Sequence, residues 1–140
     1  MGGVIVALYS LFESQVRNQS IALLVEEGDF IVSKITYIVQ SSSIISAPQT
    51  QGASLNVVDD AGTETNIYST GGNLIIDGGN DPHILNADTI SVQDLTFTHA
   101  KISNSDESFD VLDGEFVASA TTSDGHMVSR LFYLHSILNQ

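Results

Sequence analysis

Residues 77–81 place oxygen-bearing side chains on a glycine-rich turn, as a site for a hard cation would require. The segment reads Asp-Gly-Gly-Asn-Asp and offers the carboxylates of Asp77 and Asp81 and the amide oxygen of Asn80. Calcium is bound by such oxygens from flexible loops, although the glutamate that closes a twelve-residue EF-hand is missing here. Turn chemistry alone also accounts for these residue types. Two interpretations therefore stand, a calcium loop and a plain turn.

The other side chains with catalytic potential do not form a recognisable site in the sequence. The histidines are His83, His99, His126 and His135. Their spacing matches neither H-x-H nor H-E-x-x-H, and no G-x-S-x-G elbow presents a serine nucleophile. An acid-type hydrolase would need two strand-borne carboxylates, such as Asp110 with Asp113 or Glu115. Only the abundance of acidic residues favours that pairing. We therefore predict that the protein is not an enzyme, and we expect no cofactor other than calcium.

Length and charge restrict the classes of protein and ligand. The chain has 140 residues, 42% of them hydrophobic and 15% charged, which predicts a single folded domain spanning residues 1–140. Seventeen acidic residues against four basic ones give a formal net charge of −13. Nucleic acids and anionic head groups are recognised through clustered Lys and Arg, so neither is expected as a direct ligand. The absence of cysteine excludes disulfides and thiolate metal sites.

Residues from about 4 to 40 have the apolar spacing of one long helix. Its stripe consists of Ile21, Leu24, Val25, Ile31, Val32, Ile35, Ile38 and Val39, with Gly28 in the missing place. Steps of three, one and three fit one face of a helix and no face of a strand. A helix of this length is about 55 Å long, more than the domain needs, so we expect the first half to project. Gly28 marks a close approach of a strand, a gentle bend of the helix, or a merely tolerated glycine.

The rest of the chain predicts a β-sheet. Residues 41–53 read as a polar connecting loop, and residues 54–140 contain β-type runs at 54–58, 65–69, 74–76, 90–101, 109–121 and 127–138. Alternation predicts a buried face made of Leu55, Val57, Ile67, Leu74, Ile76, Leu95, Phe97, Phe116, Ala118, Val128, Leu131 and Tyr133. A helix followed by strands predicts an α+β fold with the helix packed on an antiparallel meander.

Several short sequence steps occur in a fixed order along nearly the whole chain. They are Ile45-Ser46-Ala47-Pro48, Ala53-Ser54-Leu55-Asn56-Val57-Val58, Asn66-Ile67-Tyr68, Gly72-Asn73-Leu74, Pro82-His83-Ile84-Leu85 and Val92-Gln93-Asp94-Leu95-Thr96-Phe97. This order, after a long N-terminal helix, resembles type IV pilins and type II secretion pseudopilins, most closely the minor pseudopilins of the J type. The resemblance implies a pilin-like fold and a structural role in a filament.

The resemblance also implies how such a subunit assembles. The first half of the helix would pack against helices of other pilin or pseudopilin subunits, through Val4, Leu8, Leu11, Phe12 and Val16. Members of this family are anchored in the cytoplasmic membrane by about twenty apolar N-terminal residues, of which residues 4–12 would be the tail. The domain would then lie in the cell envelope or at the cell surface.

An alternative from another class is a secreted or surface-attached β-rich module that binds carbohydrate or calcium. Such a module has no need for about ten turns of helix with an apolar beginning. The long helix therefore favours the filament subunit over the binding module.

Overall fold

A computed structural model describes residues 2–79, 81–122 and 125–139 of the chain. Within these ranges, side chains are described from residue 19 to residue 138. The chain begins with helix α1 (Gly2–Gln40). The buried positions of α1 recur at steps of three or four residues and are Leu24, Gly28, Ile31, Ile35 and Val39. This spacing keeps them on one face, so the stripe predicted for residues 21–39 is confirmed.

The strands that follow α1 form two antiparallel sheets. The first sheet, in the order β1-β3-β4-β5-β6, contains β1 (Ile44–Ala47), β3 (Leu55–Val58), β4 (Glu64–Thr70), β5 (Asn73–Asp77) and β6 (His83–Ile84). The second sheet, in the order β2-β7-β8-β9, contains β2 (Gln51–Gly52), β7 (Ile90–Ser103), β8 (Ser108–Thr121) and β9 (Met127–Asn139). Helix α1 packs on β9 and β8 of the second sheet.

The predicted fold class, an α+β pilin-like fold with a long N-terminal helix on one antiparallel meander, is wrong. Strands make up 55% of the residues with described side chains, in two sheets, against 22 residues of helix at positions 19–40. The two sheets differ in the length of their main strands. In the second sheet β7 to β9 have 13 or 14 residues and pair with one another, and only the edge strand β2 is short, whereas strands of the first sheet have seven or fewer. The chain crosses between the sheets within residues 41–53, where β1 and β2 were not anticipated.

All six strands predicted from the sequence are present, as β3, β4, β5, β7, β8 and β9. The predicted buried face is wrong at Leu131 and Tyr133, which are exposed. Their neighbours Phe132 and Leu134 are buried instead. Both faces of β9 carry apolar residues, so alternation alone could not decide which face α1 would cover.

The glycine in the helix stripe marks a close approach between α1 and β9. A Cβ built on Gly28 would lie 2.1 Å from Cζ of Phe132, far inside van der Waals contact. The ring of Phe132 in turn stacks on Phe116, with centroids 5.3 Å apart and planes 15° apart. Of the three interpretations of Gly28, close approach of a strand is the one that this geometry confirms.

The two sheets are joined by the buried side chain of Asn86. Its Oδ1 accepts a hydrogen bond from the backbone N–H of Leu74 in β5 at 2.7 Å, and its Nδ2 donates to the carbonyl of Ile90 at the start of β7 at 2.6 Å. Because both ends of the amide are used, this polar group is buried without an unsatisfied donor or acceptor. The polar bridge holds β5 against β7.

Ser136 on β9 provides a test of the packing beneath α1. Its hydroxyl is buried and has no hydrogen-bond partner among the described residues. Removing such a group removes its desolvation cost, so Ser136→Ala is expected to raise the free energy of unfolding by about 1 kcal/mol, measured by urea denaturation. The matched control is Ser119→Ala, because the Ser119 hydroxyl bonds to that of Ser129 at 2.8 Å. That control should lower stability, and a loss of stability in both variants would contradict the interpretation.

Candidate functional site

The turn considered for calcium shows ordinary turn hydrogen bonding where it is described. Oδ1 of Asp77 accepts a hydrogen bond from the backbone N–H of Gly79 at 3.0 Å, and Asp81 is exposed. Asn80 lies outside the described residues. No group of three or more His, Asp or Glu side chains within the described part of the chain could hold a metal ion. The calcium loop of Asp77, Asn80 and Asp81 stays a prediction.

The carboxylates considered for a hydrolase lie on opposite faces of β8. Asp110 is buried on the face that α1 covers, whereas Asp113 and Glu115 are exposed on the other face. Side chains an odd number of residues apart on a strand point to opposite sides of the sheet. The structure therefore does not bring Asp110 together with Asp113 or with Glu115, although it places the latter two side by side.

Asp110 belongs instead to a buried pair with His99. Oδ1 of Asp110 lies 2.8 Å from Nε2 of His99, and Nδ1 of His99 lies 2.8 Å from the carbonyl oxygen of Pro48. Since a carbonyl can only accept, Nδ1–H is the donor to Pro48, and the contact between Nε2 and Oδ1 holds one further proton. The backbone N–H of His99 also donates to the carbonyl of Thr50 at 2.7 Å. The pair thus holds residues 48–50, which cross between the sheets, onto β7.

Helix α1 carries a second apolar stripe, on the side facing away from the sheets. It consists of Leu23, Phe30 and Tyr37, whose exposed fractions are 63%, 51% and 66%. At 3.6 residues per turn, this outward stripe lies about 140° around the helix from the buried stripe. A helix in contact with one sheet is normally polar on that side, so the outward stripe is an exposed apolar surface that needs an explanation. Nζ of Lys34 lies 5.8 Å from the ring centroid of Tyr37 at one end of it.

The outward stripe follows a seven-residue repeat. Leu23, Phe30 and Tyr37 are separated by seven residues each, and in the sequence the same spacing continues upstream to Val16 and Tyr9. The predicted assembly residues Val4, Leu8, Leu11, Phe12 and Val16 lie in the helical part of the chain, but their side chains are outside the described residues. The sequence analysis followed the buried stripe of the helix and missed this seven-residue repeat.

Comparisons of the chain with protein-family models, curated proteins and solved structures find no match. The resemblance to pilins and pseudopilins therefore stays a prediction. Within the described residues, no helix is both long enough and apolar enough to cross a membrane. The function has to be inferred from the surfaces of the domain.

The outer face of the second sheet bears a second candidate surface, a groove of about 400 Å³. It lies on the side of the sheet opposite α1, and the exposed side chains of Tyr133 and His135 form part of its lining. Nδ1 of His135 lies 2.5 Å from Oδ1 of Asp113, also in the lining. The domain thus presents two separate surfaces, the outward stripe of α1 and this groove.

Proposed function

We propose that the chain is a structural subunit that assembles with further copies of itself through helix α1, as the subunits of pili and secretion filaments do. The observation that carries this proposal is the outward stripe of Leu23, Phe30 and Tyr37. One face of α1 is buried on its own sheet, and the opposite side carries these three exposed apolar side chains. A helix with two apolar faces is satisfied by two partners, its own domain and a neighbouring helix.

The spacing of the outward stripe fits a parallel neighbour. A strict seven-residue repeat on an α-helix favours left-handed supercoiling with a second helix, with the repeated residues at position a. In that register Asp29 occupies position g and Lys34 occupies position e. In a parallel pair a g residue meets the e residue five positions later in the other helix, so Asp29 faces Lys34 of the second copy. The single basic residue of positions 19–40 thus meets an opposite charge.

Positions a and d of the heptad form the seam between two paired helices. The residues at these positions indicate weak contacts that many copies would reinforce. Glu26 and Ser33 occupy position d, where a tight coiled coil would have leucine. Half of the seam is therefore polar. Weak pairwise contacts of this kind gain strength when each subunit meets several neighbours, as in a filament. The location in the cell envelope or at the cell surface, which the resemblance to pilins implies, stays a prediction.

Cysteine cross-linking tests the proposed pairing, since the chain has no cysteine of its own. Leu23→Cys and Tyr37→Cys are made separately and oxidised mildly at high protein concentration. In a parallel, in-register pair each variant forms a disulfide with itself, because equivalent a positions adjoin. The matched control is Ile84→Cys on β6, where the wild-type side chain is 56% exposed and distant in sequence from the stripe. This control should associate like the wild type but form no intermolecular disulfide.

Sedimentation of a charge variant provides the second measurement. Phe30→Glu places a charge in the centre of the outward stripe and is expected to weaken association at least about tenfold, or about 1.4 kcal/mol. Ile84→Glu should associate like the wild type. The proposal is overturned if the wild type stays monomeric at the highest soluble concentration, or if Phe30→Glu has no effect. Cross-linking of Leu23→Cys with Tyr37→Cys alone would indicate antiparallel packing and also overturn it.

A further inference from the structure

The groove on the outer face of the second sheet is built from two adjacent cross-strand rows. The strand register aligns the first row across β2, β7, β8 and β9, as Gln51, Thr98, Asp113 and His135. It aligns the second row across β7, β8 and β9, as Thr96, Glu115 and Tyr133. Directly opposed side chains on one face of a sheet lie about 5 Å apart, so each row is a continuous line of polar groups.

An irregularity in β7 shapes this side of the sheet. The register shifts between Gln93 and Thr96, and Asp94 has a positive φ of 56°. An extra residue of this kind bends its strand and increases the local twist. The side chains that follow it therefore change the face of the sheet to which they point. Leu95 consequently points into the core while Thr96 lines the groove. Bulges of this type are common beside functional sites.

Most hydrogen-bonding groups in the groove are not used by the protein. Within the described part of the chain, no side-chain hydrogen bond involves Gln51, Thr96, Thr98, Glu115 or Tyr133. The amide of Gln51 and the two hydroxyls both donate and accept, whereas Glu115 accepts when ionised. Polar groups that converge in a concave site without bonding one another are available to a ligand.

These groups restrict the chemical class of that ligand. None of the described residues that line the groove is Lys or Arg, and Asp113 and Glu115 repel anions. An ammonium group has donors alone and could not use the donors of Gln51, Thr96 and Thr98. A polyol hydroxyl both donates and accepts. The exposed ring of Tyr133 adds an apolar platform with a polar tip, suited to the C–H face of a sugar ring.

We propose that this groove binds a neutral saccharide of one or two rings, with Tyr133 stacking on a ring and Glu115 accepting hydrogen bonds from its hydroxyls. A volume of about 400 Å³ is within the range of small-ligand pockets. This binding would be separate from assembly, because the groove and α1 lie on opposite faces of the second sheet. A subunit with both surfaces would display saccharide-binding sites along an assembly.

Titration of the full chain with neutral disaccharides, followed by amide chemical shifts in NMR spectra, tests this proposal. The probes are maltose, cellobiose, lactose and N,N′-diacetylchitobiose, with tetralysine as the cationic comparison at equal ionic strength. At least one disaccharide is expected to shift the amides of residues 96–98, 113–115 and 133–135 with millimolar affinity. Tyr133→Ala is expected to weaken this binding at least tenfold, and Glu115→Gln several-fold.

The matched control is Leu131→Ala, an exposed residue on the same face of β9 but outside the groove. It should bind the disaccharide like the wild type, and so should the assembly variant Phe30→Glu. Circular dichroism of Tyr133→Ala confirms that the exposed substitution leaves the fold intact. The proposal is overturned if none of the four disaccharides shifts these amides, if tetralysine alone does so, or if Tyr133→Ala binds like the wild type.

Discussion

Asp110→Ala is expected to lower the free energy of unfolding by about 1–3 kcal/mol, the cost of leaving a buried polar group without its hydrogen-bond partner. The side chains of His99 and Asp110 are only 11% and 3% exposed. Without the carboxylate, Nε2 of His99 loses its partner where water cannot readily replace it. Urea denaturation followed by circular dichroism measures the change.

A matched pair, whose aspartate lies on the same strand β8, separates the effect of burial on stability from that of the contact itself. His135 and Asp113 make the same type of contact, with side chains 60% and 57% exposed. Exposed pairs contribute little, so Asp113→Ala should cost less than about 1 kcal/mol. Equal losses in Asp110→Ala and Asp113→Ala would contradict our interpretation. The double variant His99→Ala/Asp110→Ala should cost much less than the two single losses added together, because the pair acts as a unit.

The loss of stability in Asp110→Ala should also begin in one segment of the chain, the one that His99 holds. His99 holds the carbonyls of Pro48 and Thr50, so it fixes the segment that crosses from β1 to β2. Amide hydrogen exchange in Asp110→Ala should therefore rise first in residues 49–52. The sequence could not predict this contact, because Pro48 lies 51 residues from His99 and the three residues match no motif.

Local patterns predicted most of the individual segments. The six main strands and the helix stripe of residues 21–39 are present because alternation and 3.6-residue periodicity are properties of a single segment. The division into two sheets was not predictable in the same way. It depends on which strands pair, and the crossing at Pro48 is secured by His99 from a distant strand.

The candidate surfaces were less predictable than the strands. The rows of the groove exist only in one register, since a shift of one residue would send Glu115 and Tyr133 to the opposite face. Both faces of β9 are apolar in sequence, and Tyr133 was consequently assigned to the core. The outward stripe of α1 was visible in the sequence as a seven-residue repeat, yet the stronger buried stripe obscured it.

Gly28→Ala is expected to lower the free energy of unfolding by about 2 kcal/mol, although alanine is the better helix former. Helix propensity alone predicts a gain of about 1 kcal/mol. Packing opposes it, because the new methyl group would lie 2.1–2.6 Å from three ring atoms of Phe132. That ring is stacked on Phe116 and cannot move freely, so the overpacking cost should be at the upper end of about 1–3 kcal/mol.

A second substitution distinguishes this clash from any other effect of alanine at position 28. Phe132→Leu should destabilise the wild type but should raise the stability of Gly28→Ala, because it removes the ring atoms that meet the methyl group. Gly78→Ala is the control, since a Cβ there has no neighbour within 4 Å and should change stability little. A destabilising Phe132→Leu in both backgrounds would contradict the close approach of α1 to β9.

The same clash links the core of the domain to its proposed assembly. Relief of the contact at Gly28 requires α1 to move outward from β9, and the outward stripe of Leu23, Phe30 and Tyr37 moves with it. A seam built from one apolar position per heptad tolerates little displacement, because each residue must meet its equivalent in the second copy. Gly28→Ala should therefore also lower cross-linking of Leu23→Cys under conditions where the domain remains folded. The Gly28→Ala/Phe132→Leu background should restore it.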